Sequence, residues 1–510
     1  MSRQRQRYSV IASARRARSA WRTSGRIGVR TIVHVAAECS PFARTGGLGE
    51  AVAGLARAQA RAGHRVTVFV PLYAGARRVA GDLSPVGPAH NLDMGPRRED
   101  VRLLRAARRP GEAQIIFVDA PQYFDRPGLY GEPGGDYPDN HRRFALLSLA
   151  ALVGTSRMAA EPVVMHAHDW HAALVPVYLR TDPRFASLAA NAVAVFSIHN
   201  AGYQGLFPAT AMADLGLPTE VWTPDRLESC GELNMLKGGL ALSDVVVTVS
   251  PSHAAELVTD VGGFGLQTVF RSLGDRLVGI TNGIDEDIWD PSADPDTPAP
   301  YSAGDLSGKV RCKEALQAEL GLPRRADVPL FAMSARLTLQ KGLDLVLGSE
   351  RVRSADAQFA FLGNGDARYR EALTALARER PANIATEFDF VDAREHRLLA
   401  GADFLIMPSL YEPCGLTQMR AQRYGDPVVA RDVGGLHDTV ADDDTGFLFA
   451  EYTPTGFDTA IDRALRTYRE PPALLAMRLR AMAQHFTWAQ SVNAYADVYR
   501  RAAARVIGAE

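Results

Sequence analysis

Lysine is scarce: Lys occurs only at 237, 309, 313 and 341, although Lys and Arg together number 57. Arginine carries the remaining positive charge, a bias that fits a GC-rich bacterial genome. Cysteine is equally sparse, with Cys39, Cys230, Cys312 and Cys414 scattered outside any metal-ligand spacing. That argues against a disulfide framework or thiolate zinc site and fits free thiols in a reducing bacterial cytoplasm. No apolar run reaches the ~18 residues of a spanning helix, so no membrane partner is expected. The net charge of −1 gives no electrostatic reason to expect nucleic acid. Asp and Glu are missing from residues 1–30, which carry arginines at 3, 5, 7, 15, 16, 18, 22, 26 and 30. That stretch is expected to be a basic disordered extension; read as a transit peptide, it would instead direct the chain to a plastid.

What is present describes an ordinary globular protein of 46% hydrophobic and 23% charged residues. A chain of 510 residues exceeds what one core usually serves, so two domains are expected. From residue 31 strand-like and helix-like segments alternate, as in parallel sheets wrapped by helices. TIVHVAAE (31–38), RVTVFVPLY (65–73), QIIFVDA (114–120), VVMHAHD (163–169), AVAVFSIHN (192–200), VVVTVS (245–250) and VGITNGI (278–284) form a first series. DPSADPDTPAPYSAGDLSG (290–308) breaks the pattern and reads as a connection. A second series follows, with VPLFAMSARL (328–337), QFAFLGNGD (358–366), NIATEFDF (383–390), FLIMPS (404–409) and PVVARD (427–432), then helices from about Thr455. The expected organisation is a Rossmann-like domain over 31–290, a linker over 291–308, a second Rossmann-like domain over 309–485 and a last segment over 486–510. A cleft between two such halves is the natural site.

Residues 404–418, FLIMPSLYEPCGLTQ, carry the strongest functional signal. Ligands of open α/β sheets bind beyond the carboxyl ends of buried strands, where a following helix offers unpaired N–H groups to anions. Glu412, Cys414, Gly415, Leu416 and Thr417 occupy that position. In SARLTLQKG (334–342), Arg336 and Lys341 place two cations after another buried strand, where they could neutralise a diphosphate leaving group. In RTGGLGE (44–50), Arg44, Gly46 and Gly47 precede a helix, with the glycines placed for close backbone approach. This is not the G-x-G-x-x-G dinucleotide fingerprint.

These motifs, with HAHDWHAALVPVYL (166–179), SIHNAGYQGLF (197–207), NMLKGGLALSDVVVTVSPSHA (234–254), ITNGID (280–285) and VGGLHDTV (433–440), stand in one order over residues 31–500. The ordered set resembles the bacterial glycogen synthase and plant starch synthase family of retaining glycosyltransferases. The resemblance implies two facing Rossmann-like domains of the GT-B type with a deep interdomain cleft, and a C-terminal helix crossing back to the first domain. It implies transfer of glucose from ADP-glucose to the non-reducing end of an α-1,4-glucan, glycogen or a maltooligosaccharide, with retention and without metal or other cofactor. Arg336 and Lys341 would hold the diphosphate, the amides of Gly415, Leu416 and Thr417 its distal phosphate, and Glu412 the glucose. His199 and Asp169 match sugar-contacting residues, and Asn282 one lining the cleft. UDP-glucose, a small phosphorylated acceptor, or glucan binding with weak catalysis are the alternatives.

His166 and His168 share a strand face and invite a metal reading, but the sequence indicates no third ligand. The DPD triplet at 294–296 falls in the expected linker rather than after a buried strand, which sets it aside as a metal motif. Two departures from the family pattern stand in the first loop, where Arg44 and Glu50 replace the usual Lys and Asp. Many related transferases also carry a second Glu eight positions after the first; here it is Arg420, and the starch synthase branch lacks that Glu too.

Overall fold

The computed structural model describes residues 22–23, 26–27, 31–132, 135–158 and 162–507. The expected basic extension lies outside these residues, apart from Arg22–Thr23 and Arg26–Ile27, which pair as short antiparallel strands. The chain divides into two compact units. The first runs to Val249 and includes Ala254–Gly283 and the segment from Trp488; the second comprises Ser250–His253 and Ile284–Thr487.

The first unit is built on a ten-stranded sheet. In chain order its strands are β1 (Thr31–Val35), β2 (Arg65–Pro71), β3 (Leu83–Pro85), β4 (His90–Met94), β5 (Arg97–Ala106), β6 (Gln114–Asp119), β7 (Val163–His168), β8 (Ala192–Ile198), β9 (Val245–Thr248) and β10 (Leu277–Gly279). Across the sheet the order is β10, β9, β8, β7, β1, β2, β6, β5, β3, with β4 paired on β5. Pairing is parallel from β10 to β6 and antiparallel beyond. Both β7 and β8 are buried at every position, which is why they read as unbroken apolar runs. Helices α1 (Gly47–Arg61), α2 (Asn140–Met158) and α3 (Met235–Leu242) supply covering layers. The β4–β5 hairpin departs from the sequence expectation. Exposed Asn91 and Asp93 alternate with buried residues on β4, and β5 begins with four charged residues in a row (97–100), so the hairpin shows no apolar run.

The second unit holds a six-stranded, all-parallel sheet: β11 (Leu330–Ser334), β12 (Gln358–Leu362), β13 (Ile384–Glu387), β14 (Phe404–Met407), β15 (Val428–Arg431) and β16 (Gly446–Phe449). Its order is β13, β12, β11, β14, β15, β16. The helices bearing on the site are α4 (Ser307–Glu319), α5 (Asp392–Gly401), α6 (Thr417–Arg423) and α7 (Gly434–Thr439).

Residues 291–308 are not a free connection. Asp294, Ala299 and Tyr301 are buried, the Tyr301 hydroxyl donates to Tyr424 O at 3.0 Å, and Trp289 stacks on His396 with ring centroids 3.9 Å apart. The Pro/Asp/Ser content sets the irregular backbone, while two aromatic anchors, Trp289 and Tyr301, and one buried carboxylate, Asp294, fix it to the second unit. Asp294 also accepts from His396 Nδ1 at 2.8 Å, and Asp294, Asp296 and His396 form a compact donor cluster. The DPD triplet thus has a neighbour that its place in the sequence did not suggest.

The last described helix, α8 (Trp488–Ile507), belongs to the first unit. Trp488, Val492, Tyr495, Tyr499 and Ala502 recur at helical spacing and enter the first unit's core. It packs on α1 and β8, with the Trp488 ring lying against α1 at Gly54, where any Cβ would come within 2.2 Å of it. Among the described residues no helix is long and apolar enough to cross a membrane.

Candidate active site

In the second unit the carboxyl ends of β11 and β14 bring Lys341 and Glu412 together. Lys341 Nζ donates to Glu412 Oε2 at 2.5 Å, and Ser409 Oγ donates to the same oxygen at 3.0 Å. Glu412 is only 5% exposed, so these two donors hold its carboxylate in one orientation. The approach depends on Gly342: its φ is +72°, and a Cβ there would meet Pro408 O at 1.9 Å. Gly415 is constrained likewise, with φ +74° and Gln418 Oε1 where its Cβ would be. Arg336 lies exposed just past β11 and, among the described residues, has no carboxylate partner. Cys414, Gly415 and Leu416 lead into Thr417 at the start of α6.

Three residues brace the Glu412 loop and α6, and their contacts were not readable from the sequence. Buried Gln418 donates to Cys414 O at 2.9 Å and to Thr439 Oγ1 at 3.1 Å, tying the Glu412 loop to α7. Ser250 Oγ donates to Pro413 O at 2.7 Å. Arg420, where related transferases carry a second Glu, donates to Glu395 Oε2 at 3.1 Å and stacks its guanidinium 4.2 Å from the Trp289 ring. A carboxylate from α5 therefore stands beside the position that lacks one.

In the first unit β7 is followed by Asp169, whose φ of +54° is left-handed and strained for a non-glycine residue. Its Oδ1 accepts the backbone N–H of His199 at 2.7 Å and of Asn200 at 3.4 Å, joining the ends of β7 and β8. Burial pushes the Asp169 carboxyl up to about 7, opposed by those N–H donors and helped by the charge of Glu38. Burial lowers the half-buried His199 to about 4, so its ring is neutral near pH 7. Asn282 is buried past β10. Lys237 is also buried, donating to Glu228 O at 2.6 Å.

His34, on β1, supplies the third imidazole that the sequence did not indicate beside His166 and His168. Within this group every ring nitrogen is already bonded. His34 Nε2 meets Gln59 Oε1 at 2.8 Å and its Nδ1 meets His168 Nε2 at 2.9 Å. His168 Nδ1 meets His199 Nε2 at 3.0 Å. His166 lies between the Tyr499 hydroxyl, at 2.8 Å, and Ser197 Oγ, at 2.7 Å.

The glycine-rich loop is organised by Glu38, a residue outside the motif itself. Its carboxylate accepts from Thr45 N and Thr45 Oγ1, both at 2.7 Å, and from the Tyr130 hydroxyl at 2.5 Å. Gly47 opens α1, and beyond Gly46 there is open space rather than a packed neighbour. Arg44 and Glu50, the two departures, bond each other at 2.6 Å. Arg44→Lys is therefore expected to weaken that link and change the KM for donor or acceptor by roughly fivefold, about 1 kcal/mol. Unchanged kinetics with both substrates would sink this reading, and Arg44→Lys/Glu50→Asp measures the coupling.

Residues 31–272 match the model of the starch synthase catalytic domain, and residues 320–481 that of glycosyl transferases group 1. A glycogen synthase of Anaeromyxobacter sp. (strain Fw109-5) is 45% identical over 484 residues, spanning 93% of this chain and 99% of that protein. The chain belongs to the glycogen synthase and starch synthase family. Glycogen synthase 2 of Geobacter sulfurreducens is another member, 40% identical over 92% of this chain and 99% of its own length. Among solved structures, the catalytic domain of starch synthase IV from Arabidopsis thaliana, bound to ADP and acarbose, superposes with a TM-score of 0.86. It is 31% identical and covers 94% of this chain and 100% of that one. Sucrose-phosphate synthase from Thermosynechococcus elongatus has the same fold at a TM-score of 0.59, with 19% identity over 92% of this chain and 98% of that one. Both are two-domain α/β glycosyltransferase folds of the GT-B type, as expected from the sequence.

Proposed function

We propose that this protein is a glycogen synthase that transfers glucose from ADP-glucose to the non-reducing end of an α-1,4-glucan, retaining configuration, in the bacterial cytoplasm. The observation that carries the reading is the Lys341–Glu412 pair, with exposed Arg336 in the same loop after β11, in a chain 45% identical to a glycogen synthase. Breaking a sugar–diphosphate bond builds negative charge on the leaving phosphate, and fixed cations aimed at it lower the barrier. Lys341 and Arg336 take that role, assisted by the loop from Gly415 to Thr417, and the reading needs no metal. Glu412, with one oxygen engaged by Lys341 and Ser409, suits orientation of sugar hydroxyls better than nucleophilic attack. Front-face departure, in which the leaving phosphate assists the incoming hydroxyl, then accounts for retention. On the first unit, His199 and Asp169 serve the sugar, and Arg44, Gly46, Gly47 and Asn282 line its approach.

The deciding experiment measures ADP and UDP release from the two glucose donors against glycogen, maltose and glucose phosphate, with Glu412→Ala as control. The expected result is glucan-dependent ADP release that the control lacks. Preference for UDP-glucose or for the phosphorylated acceptor would replace the reading with a related transferase. Glycogen binding without nucleotide release would make the protein a glucan-binding paralogue.

A further inference from the structure

We propose that Gln59 and Tyr499 are positioning residues that set the tautomer of His199, through a buried hydrogen-bonded chain running Tyr499, Gln59, His34, His168, His199. The inference rests on the preceding reading only in assigning a sugar hydroxyl to His199. The polarity follows link by link. Gln59 Nε2 donates to the Tyr499 hydroxyl at 2.9 Å, which leaves Gln59 Oε1, an atom that can only accept, facing His34. His34 Nε2 therefore carries the proton. A neutral imidazole has one N–H, so His34 Nδ1 accepts, and His168 Nε2 is the donor across their 2.9 Å contact. By the same rule His168 Nδ1 accepts from His199 Nε2 across 3.0 Å. His199 is left with Nδ1 as a bare acceptor, able to take a hydrogen bond from a hydroxyl and unable to give one.

Neutrality holds at each ring. Burial lowers His34 to about 4 and His168 well below its ordinary value, as it does His199. A branch closes the arrangement: the Tyr499 hydroxyl, accepting from Gln59, gives its own proton to His166 Nδ1, and His166 Nε2 donates to Ser197. The amide end that Gln59 turns toward His34 thus fixes every proton as far as His199. Reversing the amide would reverse the chain and present His199 Nδ1–H instead. Tyr499, bonded to both the amide and His166 Nδ1, couples the amide's orientation to the proton position on His166: with His166 Nδ1 accepting, the hydroxyl must accept from Nε2 and Oε1 faces His34.

The test is long-range ¹H–¹⁵N NMR of histidine-labelled full-length protein, with His199→Gln assigning the signal, alongside steady-state kinetics. Wild type is expected to show His199 as the Nε2–H tautomer. Gln59→Leu, which removes the acceptor, is expected to give a mixture of tautomers and to lower kcat about tenfold at nearly constant KM, the cost of one misdirected hydrogen bond. Gln59→Glu keeps an acceptor toward His34 and is expected to retain the wild-type tautomer; this variant separates proton direction from packing should the leucine variant melt early. An Nδ1–H tautomer in wild type, or an unchanged tautomer in folded Gln59→Leu, would overturn the proposal. Failure of the functional reading would look different, with the expected tautomers but no nucleotide release from wild type.

Discussion

Lys341→Ala lowers kcat by roughly 10²–10³ in the expected outcome, with a much smaller change in the KM for ADP-glucose. Charge on the leaving diphosphate grows as the sugar bond breaks, so a cation there does more for the transition state than for the bound donor. The variant also strips Glu412 of the ammonium 2.5 Å from its Oε2, leaving the Ser409 hydroxyl to hold that oxygen. Lys341→Arg distinguishes the two consequences. It restores charge, but a planar fork does not reproduce a point donor that holds Glu412 and would also serve the proposed diphosphate, so recovery is expected to be partial. Saturating-substrate ADP release, with a melting curve as control for folding, reads the effect. If kcat stays within about threefold of wild type, Lys341 is not part of the transition-state machinery. Because Lys341 and Glu412 act through one contact, combining Lys341→Ala with Glu412→Ala is expected to cost little more than the worse single change.

Lys309→Met is expected to destabilise the second unit by about 3–5 kcal/mol, the usual consequence of leaving a buried charge without its partner. Lys309, on α4, bonds Asp426 at 2.5 Å and Tyr424 O at 2.9 Å, and both members of the pair are buried. Burial pushes the Asp426 carboxyl up to about 7 even against the lowering pull of Lys309, and lowers the Lys309 ammonium against the raising pull of Asp426, so each offsets part of the other's burial cost. The same cavity holds the Tyr301 hydroxyl, which fastens residues 291–308, so loosening the pair should free that segment first. Denaturant unfolding followed by tryptophan fluorescence, with Trp289 reporting from beside His396, measures the loss. Lys309→Met/Asp426→Asn should recover part of it, since a neutral pair avoids the stranded charge. Equal stability of Lys309→Met and wild type would show that the ion pair contributes nothing net.

The sheets were legible because their central strands are apolar on both faces, and such runs survive without knowledge of neighbours. What escaped follows a different pattern. The β4–β5 hairpin shows only two-residue alternation interrupted by charge, and residues 291–308 look like a linker because composition records backbone preference rather than where Trp289 and Tyr301 anchor. At the site, Asp169 and His199 sit directly after strands, and Lys341 and Glu412 in the loops that follow strands, so they announce themselves by position. Their supports do not: Gln59 lies in the last turn of α1, and Tyr499 is 333 residues from the histidine it bonds. Glu38 was readable in hindsight, as a lone carboxylate immediately beyond an apolar run and seven residues before the loop threonine it holds. The third imidazole, His34, stands mid-strand on β1, and only the parallel register that sets it beside His166 reveals it.

Helix α8 bears on how the protein is made. The first unit's strands leave the ribosome early, but the helix that covers α1 and β8 is encoded after residues 284–487, an interval of roughly 10–40 s at ~5–20 residues per second. During that interval the apolar faces awaiting Trp488, Tyr495 and Tyr499 stay uncovered, a nascent-chain state that chaperones would be suited to shield. A chain cut short within α8 also lacks Tyr499, the group that accepts from Gln59 Nε2. Emergence of α8 therefore both covers those faces and supplies the hydroxyl at the head of the hydrogen-bonded chain that ends at His199.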